Sequence, residues 1–156
     1  MQTRSKGFTL VELLVVIGIV GILLAITLVA INPARQFKQA NNAKRTADVN
    51  AILNAVTQLK VDAKGTLVSP IVIPASATNF AGSDAGLLAL CNAIVPTYIA
   101  ALPTDPTAVG ATFTACNAAF NLGYSISTNA TGRVTVSAPT AEAPDGATPP
   151  VISVSR

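Results

Sequence analysis

The sequence predicts an α+β protein, in which a long N-terminal α-helix with an apolar, membrane-spanning half packs against a small antiparallel β-sheet head. Three observations support this prediction. An apolar run fills residues 13–31, an amphipathic stripe follows it, and two alternating segments flank a turn near the C-terminus. With 156 residues, the chain has room for one anchor and one small head, so a second large domain is excluded.

The apolar run is the first element. Residues 13–31 are all apolar except Thr27 and the glycines Gly18 and Gly21. As a helix, this run rises about 28 Å, which is close to the roughly 30 Å hydrocarbon core of a bilayer. Glu12 stands at its start, and a carboxylate at the edge of a membrane segment is costly. We therefore expect Glu12 to have a partner and a task.

The amphipathic stripe predicts that the helix continues beyond the apolar run. Pro33 is expected to bend or break the helix, and Gly18 and Gly21 are two further expected break positions. Apolar residues then recur at steps of three and four residues, and this stripe is expected to lie under the head: Val49, Ile52, Leu53, Val56 and Leu59. Lys64 and Gly65 are typical of a helix end.

The head is predicted from shorter signals. Pro70 and Pro74 make residues 66–73 an edge strand or an extended loop. A short helix capped by Ser83 or Asp84 is expected next, and it should end before a proline at position 96. Residues 124–128 and 133–137 alternate around a turn and predict a hairpin, and residues 151–155 predict a last strand. An antiparallel sheet of three or more strands would cover these apolar faces.

Catalytic chemistry is scarce in this sequence. There is no histidine, the carboxylates are scattered, and no glycine-rich phosphate loop occurs, so we predict a non-enzymatic protein without a cofactor. No metal site is predicted, although Asp105 and the loop with Asp145 are an alternative calcium pair. Asn129 begins a glycosylation sequon, but a hairpin turn also explains this residue.

The N-terminus resembles a known processing site. The basic segment Arg4–Gly7, followed by Phe8–Glu12, is similar to the cleavage site of type IV prepilins and of the related pseudopilins of type II secretion systems. In that family a dedicated peptidase cuts after the glycine and the new N-terminal Phe is methylated. The resemblance implies cleavage between Gly7 and Phe8 and N-methylation of Phe8. It covers roughly residues 4–64 and is much weaker beyond them.

The resemblance implies three segments. These are a leader peptide at residues 1–7, a long helix at residues 8–64 whose transmembrane half is residues 13–31, and a globular α+β head at residues 65–156. An ordinary signal peptide fits less well, because its apolar region is usually about 7 to 15 residues long and ends in a small-x-small site. A plain membrane anchor for an enzyme would leave Gly7 and Glu12 unexplained.

In such a family, Glu12 is expected to guide assembly. The carboxylate of an incoming subunit would meet the Phe8 amine of the subunit ahead, which would satisfy a buried charge and set the axial register. The alternative is that Glu12 is neutralised by its own N-terminus or lies among lipid headgroups. Sequence alone leaves both interpretations open.

Export would place the two cysteines in an oxidising space. We then expect Cys91 and Cys116 to form a disulfide, closing a loop of about 26 residues worth about 3 kcal/mol by the chain-entropy model. The alternative is a pair of buried thiols.

Charge argues against nucleic acid as a partner. Loss of the leader removes Arg4 and Lys6 from a chain of net charge +3, which leaves 8 basic and 7 acidic side chains. Three basic residues after the membrane segment share one helical face, and they are expected to contact lipid headgroups or an acidic residue such as Asp48 of a neighbouring chain. These residues are Arg35, Lys38 and Arg45.

The expected function is that of a structural subunit of a type IV pilus-type filament. The expected partners are copies of the chain itself, a prepilin peptidase, an inner-membrane assembly platform and, before assembly, membrane lipid. The precursor would reside in the inner membrane with its head outside, although a count of flanking positive charges favours the opposite orientation. The alternatives are a pseudopilin of a type II secretion system and a minor tip pilin that binds DNA or a surface.

Overall fold

The computed structural model of the protein describes residues 7–156. Most of the predicted leader, including Arg4 and Lys6, lies outside the described residues. The chain divides into two compact units, one ending at Phe37 and one formed by Lys38–Arg156. The second unit therefore contains most of the polar half of the predicted long helix as well as the head.

Helix α1 covers Leu10–Ile31 and belongs to the first unit. Its 22 residues are long and apolar enough to cross a membrane, and every one of them is exposed. Such a surface needs an apolar environment, since roughly 25 cal/mol per Å² is gained when apolar area leaves water. The expected breaks at Gly18 and Gly21 are wrong, because the helix continues through both glycines. A glycine weakens a helix by only about 1 kcal/mol.

Helix α2 covers Pro33–Asp62. It is separated from α1 by Asn32, which adopts the left-handed conformation with φ 46° and ψ 75°. Asn tolerates this conformation better than most residues, and Pro33 suits the first position of a helix because its missing N–H would have no partner there. The helix is therefore interrupted at Asn32, next to Pro33, where the sequence predicts a bend or a break.

The C-terminal part of α2 carries the predicted apolar stripe. Val49, Ile52, Leu53 and Val56 are fully buried, and Leu59 is partly buried against the same core. The stripe is confirmed, because residues three and four apart share one face of a helix. Positive φ angles follow the helix at residues 64 and 65, close to the predicted end.

Four strands form one antiparallel sheet in the order β1-β2-β3-β4. They are β1 at Thr78–Ala81, β2 at Asn121–Thr128, β3 at Val134–Ala138 and β4 at Ile152–Ser155. The predicted hairpin is β2–β3, with Ile126 opposite Val136. Strand β1 was not predicted, because its four residues lack an alternating pattern.

Helix α3 covers Ala85–Ile94 and lies between β1 and β2 in the chain. Its N-cap is Asp84, whose side chain accepts a hydrogen bond from Leu87 N at 3.0 Å, as the sequence predicts. Residues 66–73 contain no strand and form turns and loop, which is one of the two predicted possibilities.

The core of the second unit contains side chains from α2, α3 and the sheet. Phe80, Leu87, Tyr124 and Ile126 are fully buried there together with the α2 stripe. Full burial of each large apolar side chain contributes about 1.5–3 kcal/mol. These observations confirm the predicted α+β class and give the sheet four strands.

Candidate functional site at the start of the apolar helix

The predicted cleavage site lies just before α1. Gly7, Phe8 and Thr9 are not helical, and the Phe8 side chain is 84% exposed. A Cβ atom added at Gly7 would meet no atom within 4 Å, and the φ angle of Gly7 is outside the left-handed region. The described part of the chain therefore contains no contact or backbone strain that requires glycine at this position.

Thr9 and Glu12 form a reciprocal capping box at the start of α1. The N–H and the hydroxyl of Thr9 both donate to Oε2 of Glu12 at 2.8 Å, and Glu12 N donates to the Thr9 hydroxyl at 3.2 Å. These bonds satisfy two backbone N–H groups that a helix start would leave unpaired. Glu12 therefore has a local partner that was not predicted, although the Thr-x-x-Glu spacing is the usual signal for it.

Glu12 is the only charged residue of α1. A carboxylate within an apolar helix costs roughly 2.5–3.5 kcal/mol at the bilayer centre and less near its edge. Hydrogen bonds from Thr9 reduce this cost without adding a positive charge. The expected pairing of Glu12 with a Phe8 amine concerns the cleaved chain, and it stays a prediction.

Comparison with known proteins agrees with this geometry. Residues 2–28 match a family model described as the prokaryotic N-terminal methylation motif. The match includes Gly7, the capping box and most of α1.

A curated relative extends the similarity beyond the N-terminus. The chain is 35% identical over 101 residues to the type IV narrow pilus major component PilA5 of Thermus thermophilus, covering 61% of this chain and 85% of that protein. The chain belongs to the type IV pilin family. No solved structure matches it. Pilins are structural proteins, so family membership confirms the prediction of a non-enzymatic protein.

The head of this pilin contains a buried ionic cluster that was not predicted. Arg45 is 0% exposed and forms a two-pronged contact with Asp105, from Nε to Oδ2 at 2.8 Å and from Nη2 to Oδ1 at 3.1 Å. Its Nη1 atom also donates to Asn42 Oδ1 at 2.9 Å and to Glu142 Oε2 at 3.1 Å. The cluster joins α2 to the segments before β2 and after β3.

The expected role of Arg45 is therefore wrong. The helical face that Arg45 shares with Arg35 and Lys38 predicts contact with lipid headgroups or with a neighbouring chain. The structure buries Arg45, because the carboxylate of Asp105 supplies the compensating charge. Asp105 lies sixty residues away in sequence, so the local pattern around Arg45 does not reveal this pairing.

Asp105 is fully used within this cluster. Burial alone would raise its pKa, but hydrogen bonds from Arg45, from the hydroxyl of Thr140 and from the backbone N–H groups of Thr107 and Ala108 lower the pKa to about 2. Both carboxylate oxygens accept hydrogen bonds, so Asp105 serves the head rather than the alternative calcium pair. Among residues 7–156, no group of three or more His, Cys, Asp or Glu side chains could hold a metal ion.

Asp48 also has partners within the second unit, Lys38–Arg156. It accepts a hydrogen bond from the hydroxyl of Tyr124 at 2.7 Å and lies 3.7 Å from Nζ of Lys44. Burial and this hydrogen bond both raise the pKa of Tyr124. The expected contact of Asp48 with a neighbouring chain is therefore not needed to explain this residue.

The predicted disulfide is confirmed. Cys91 of α3 is bonded to Cys116 in the segment before β2, with a Cα–Cα distance of 5.7 Å.

Asn129 is explained by its hairpin, because its Oδ1 atom accepts hydrogen bonds from Thr131 N, the Thr131 hydroxyl and Arg133 N at 2.7–3.1 Å.

Proposed function

We propose that this pilin is the repeating major subunit of a type IV pilus, cleaved after Gly7 and polymerised through α1. One observation carries the proposal. The apolar surface of α1 is wholly exposed, although the second unit buries a complete core of its own. A surface of this kind is stable in a membrane or against other apolar helices. The resemblance to the major component of a narrow pilus in Thermus thermophilus supports the second destination for the mature chain.

Membrane storage would come before assembly. The precursor would span the inner membrane through α1, with the leader inside and the head outside, and an assembly platform would extract it. A helix of 22 residues has a length of about 33 Å, enough for a hydrocarbon core of roughly 30 Å. After extraction, lipid around α1 would be replaced by α1 helices of other copies, and the filament would be extracellular.

Processing by a prepilin peptidase explains the glycine at position 7. The described chain shows no internal need for it, so the need is assigned to a partner that approaches the backbone closely. Cleavage would create a free amine on Phe8, four residues before Glu12. That amine is the only new positive charge close to this carboxylate that cleavage supplies, and it can pair with Glu12 of another copy.

The Gly7→Val variant tests the processing step. We expect the full-length precursor to accumulate, because a branched side chain blocks close approach to the scissile bond. Gly18→Val is the matched control, since it makes the same change at another glycine whose Cβ would meet no atom within 4 Å. Mass spectrometry of the membrane-bound chain measures both the leader and any methyl group on Phe8.

Two results would overturn the proposal. One is a Gly7→Val chain whose first residue is still Phe8. The other is a wild-type chain that retains its leader in cells with an active prepilin peptidase and an assembly platform.

A further inference from the structure

Helix α1 starts two residues after the proposed scissile bond. Its backbone ladder begins with a hydrogen bond from Leu13 N to Thr9 O at 3.3 Å. Thr9 itself is extended, with φ −81° and ψ 153°. The Gly7 carbonyl, which a peptidase must attack, therefore lies ahead of the first helical hydrogen bond.

The hydroxyl of Thr9 competes with a backbone carbonyl for the hydrogen bond from Glu12 N. In a helix extended by one residue, Glu12 N would donate to the carbonyl of Phe8. In the structure it donates instead to the hydroxyl of Thr9 at 3.2 Å. One further residue of helix would direct Val11 N to the Gly7 carbonyl.

An extended helix would hinder hydrolysis for a simple reason. A carbonyl inside a helical ladder already accepts a hydrogen bond along the helix axis, and the neighbouring turn shields it from an enzyme. Peptidase cleavage needs a backbone that is accessible from the side. The helix start therefore determines whether the Gly7–Phe8 bond is available.

We propose that Thr9 is a positioning residue for leader removal, because its hydroxyl caps α1 and keeps the Gly7–Phe8 peptide outside the helix. This inference rests on the proposed function. In the reaction, water adds to the Gly7 carbonyl carbon and the bond to Phe8 N breaks. Gly7 leaves as a carboxylate and Phe8 keeps the amine, which takes up a proton.

The capping box divides two tasks between its members. The Thr9 hydroxyl accepts from Glu12 N and sets the helix start, whereas the Glu12 carboxylate accepts from Thr9 N and supports the same turn. The control for cleavage therefore lies outside the box, at Asp62, whose carboxylate accepts a hydrogen bond from the Tyr98 hydroxyl. We expect Asp62→Asn to be cleaved at the wild-type rate.

The test compares Thr9→Ser with Thr9→Ala in the full-length precursor. The two variants differ by one oxygen atom, and alanine has the highest helix propensity. Precursors are reconstituted in lipid vesicles with purified prepilin peptidase, and kcat/KM for leader removal is measured. We expect the Ala variant to be cleaved about fivefold more slowly, the ratio that corresponds to loss of one helix N-cap. The Ser variant should remain within about twofold of wild type.

A second measurement separates positioning from direct recognition of the hydroxyl. Carbon chemical shifts and amide hydrogen exchange at Phe8 and Val11 report where the helix starts in detergent micelles. We expect helical shifts at Phe8 in the Ala variant and non-helical shifts in the Ser variant. Slower cleavage of the Ala variant without any change in helix start would overturn the proposal.

Failure of the inference and failure of the proposed function give different results. Equal kcat/KM for Thr9→Ser and Thr9→Ala removes the role of Thr9, while Gly7→Val still tests processing. Normal cleavage of Gly7→Val would remove the processing assignment itself. Circular dichroism of each variant, together with the Cys91–Cys116 disulfide, verifies that the head is folded.

Discussion

Glu12 and Asp105 are two carboxylates that accept hydrogen bonds from threonine hydroxyls, but their surroundings differ. Glu12 is bonded to Thr9, three residues away, at the exposed start of an apolar helix. Asp105 is bonded to Arg45 and Thr140, sixty and thirty-five residues away, in a buried cluster. The first carboxylate is therefore exposed and bonded only locally among the described residues, whereas the second links distant parts of the folded chain.

The role of Glu12 can be separated from its capping bond. Glu12→Ala removes both, whereas Glu12→Gln keeps an acceptor for Thr9 N and removes only the charge. We expect both variants to be cleaved and to reduce filament yield about tenfold or more, because hydrogen bonds to charged groups contribute about 1.5–3 kcal/mol. Sheared filaments quantified against membrane-bound pilin provide the measurement.

A charge change elsewhere is the control for Glu12. Asp62→Asn removes an exposed carboxylate that accepts from the Tyr98 hydroxyl, and it should assemble normally. Normal filament yield from Glu12→Gln together with a loss for Glu12→Ala would assign Glu12 to capping alone. That result would contradict pairing with a Phe8 amine.

Asp105 makes the head sensitive to acid. Its pKa of about 2 in the folded chain is below the ordinary value of 3.8, so its contribution is complete above about pH 5 and is lost as the pH falls towards 2. We expect the free energy of unfolding to fall by about 2 kcal/mol over this range from Asp105 alone. Denaturant unfolding of the detergent-solubilised chain at several pH values measures the change.

The Asp105→Asn variant isolates this contribution. It should be less stable than wild type at pH 7, since it leaves Arg45 buried without its main counter-charge, at a cost of about 3–5 kcal/mol. Its stability should then fall less between pH 5 and pH 2. Glu142, whose pKa is lowered by its bonds to Asn41 and Arg45, keeps some acid sensitivity in both proteins. Equal slopes in the two proteins would contradict the role assigned to Asp105.

At the scale of elements, β2 needs a glycine at position 123, where the segment that contains Asp105 and Ala108 packs closely against it. Gly123 has φ 75°, and an added Cβ would lie 2.7 Å from Cβ of Ala108. The same close contact is held by the hydrogen bond from Asp105 N to Leu122 O at 2.8 Å. The backbone of β2 therefore helps to place the segment that delivers Asp105 to Arg45.

Gly123→Ala should destabilise the head more than Gly132→Ala. Both glycines have positive φ, at 75° and 77°, so both substitutions carry the left-handed penalty of about 1–2 kcal/mol. Only Gly123 faces close carbon atoms, whereas a Cβ at Gly132 would lie 3.5 Å from Nζ of Lys60. Overpacking should add about 1–3 kcal/mol at Gly123, measured by denaturant unfolding. Equal losses would mean that Ala108 moves away without cost.

At the scale of the whole molecule, the two units differ in what they need. Lys38–Arg156 contains a closed core, a buried ion cluster and a disulfide. In the described residues 7–156, helix α1 buries none of its own side chains and is capped by Thr9. A chain of this kind is complete only with lipid or with other copies around α1.

Filament labelling tests the repeating-subunit proposal directly. Antibodies raised against residues 38–156 should label purified surface filaments along their whole length, because every repeat presents a head. A strain that lacks this chain should have no such filaments. Label confined to filament tips would contradict a major subunit and favour the minor tip pilin. Absence of long surface filaments beside an active secretion channel would favour the pseudopilin.

Much of the fold follows from short-range patterns. The apolar run predicts α1, the stripe from Val49 to Leu59 predicts the buried face of α2, and alternation predicts β2 and β3. Each of these signals is a periodic pattern formed by residues that are close together in sequence. The Thr9–Glu12 box belongs to the same class, although its Thr-x-x-Glu spacing was overlooked.

Other features required contacts between distant residues. Strand β1 exists because Thr78 and Asn79 pair with β2, although their own sequence has little strand character. Arg45 is basic like Arg35 and Lys38, and only its pairing with the Asp105 carboxylate makes its burial favourable. Local sequence patterns do not predict the β1–β2 pairing or the Arg45–Asp105 ion pair, because the partners are far apart in the chain.

By itself, the sequence determined the membrane-length helix, the lone carboxylate at its start and the processing motif, because periodicity and short spacings act within one segment. Tertiary structure alone decided that Arg45 faces inward, that Asp105 meets it, and that β1 joins the sheet beside β2 as an edge strand. The physical reason is that a buried charge or an edge strand is stable only when a partner from elsewhere in the chain reaches it.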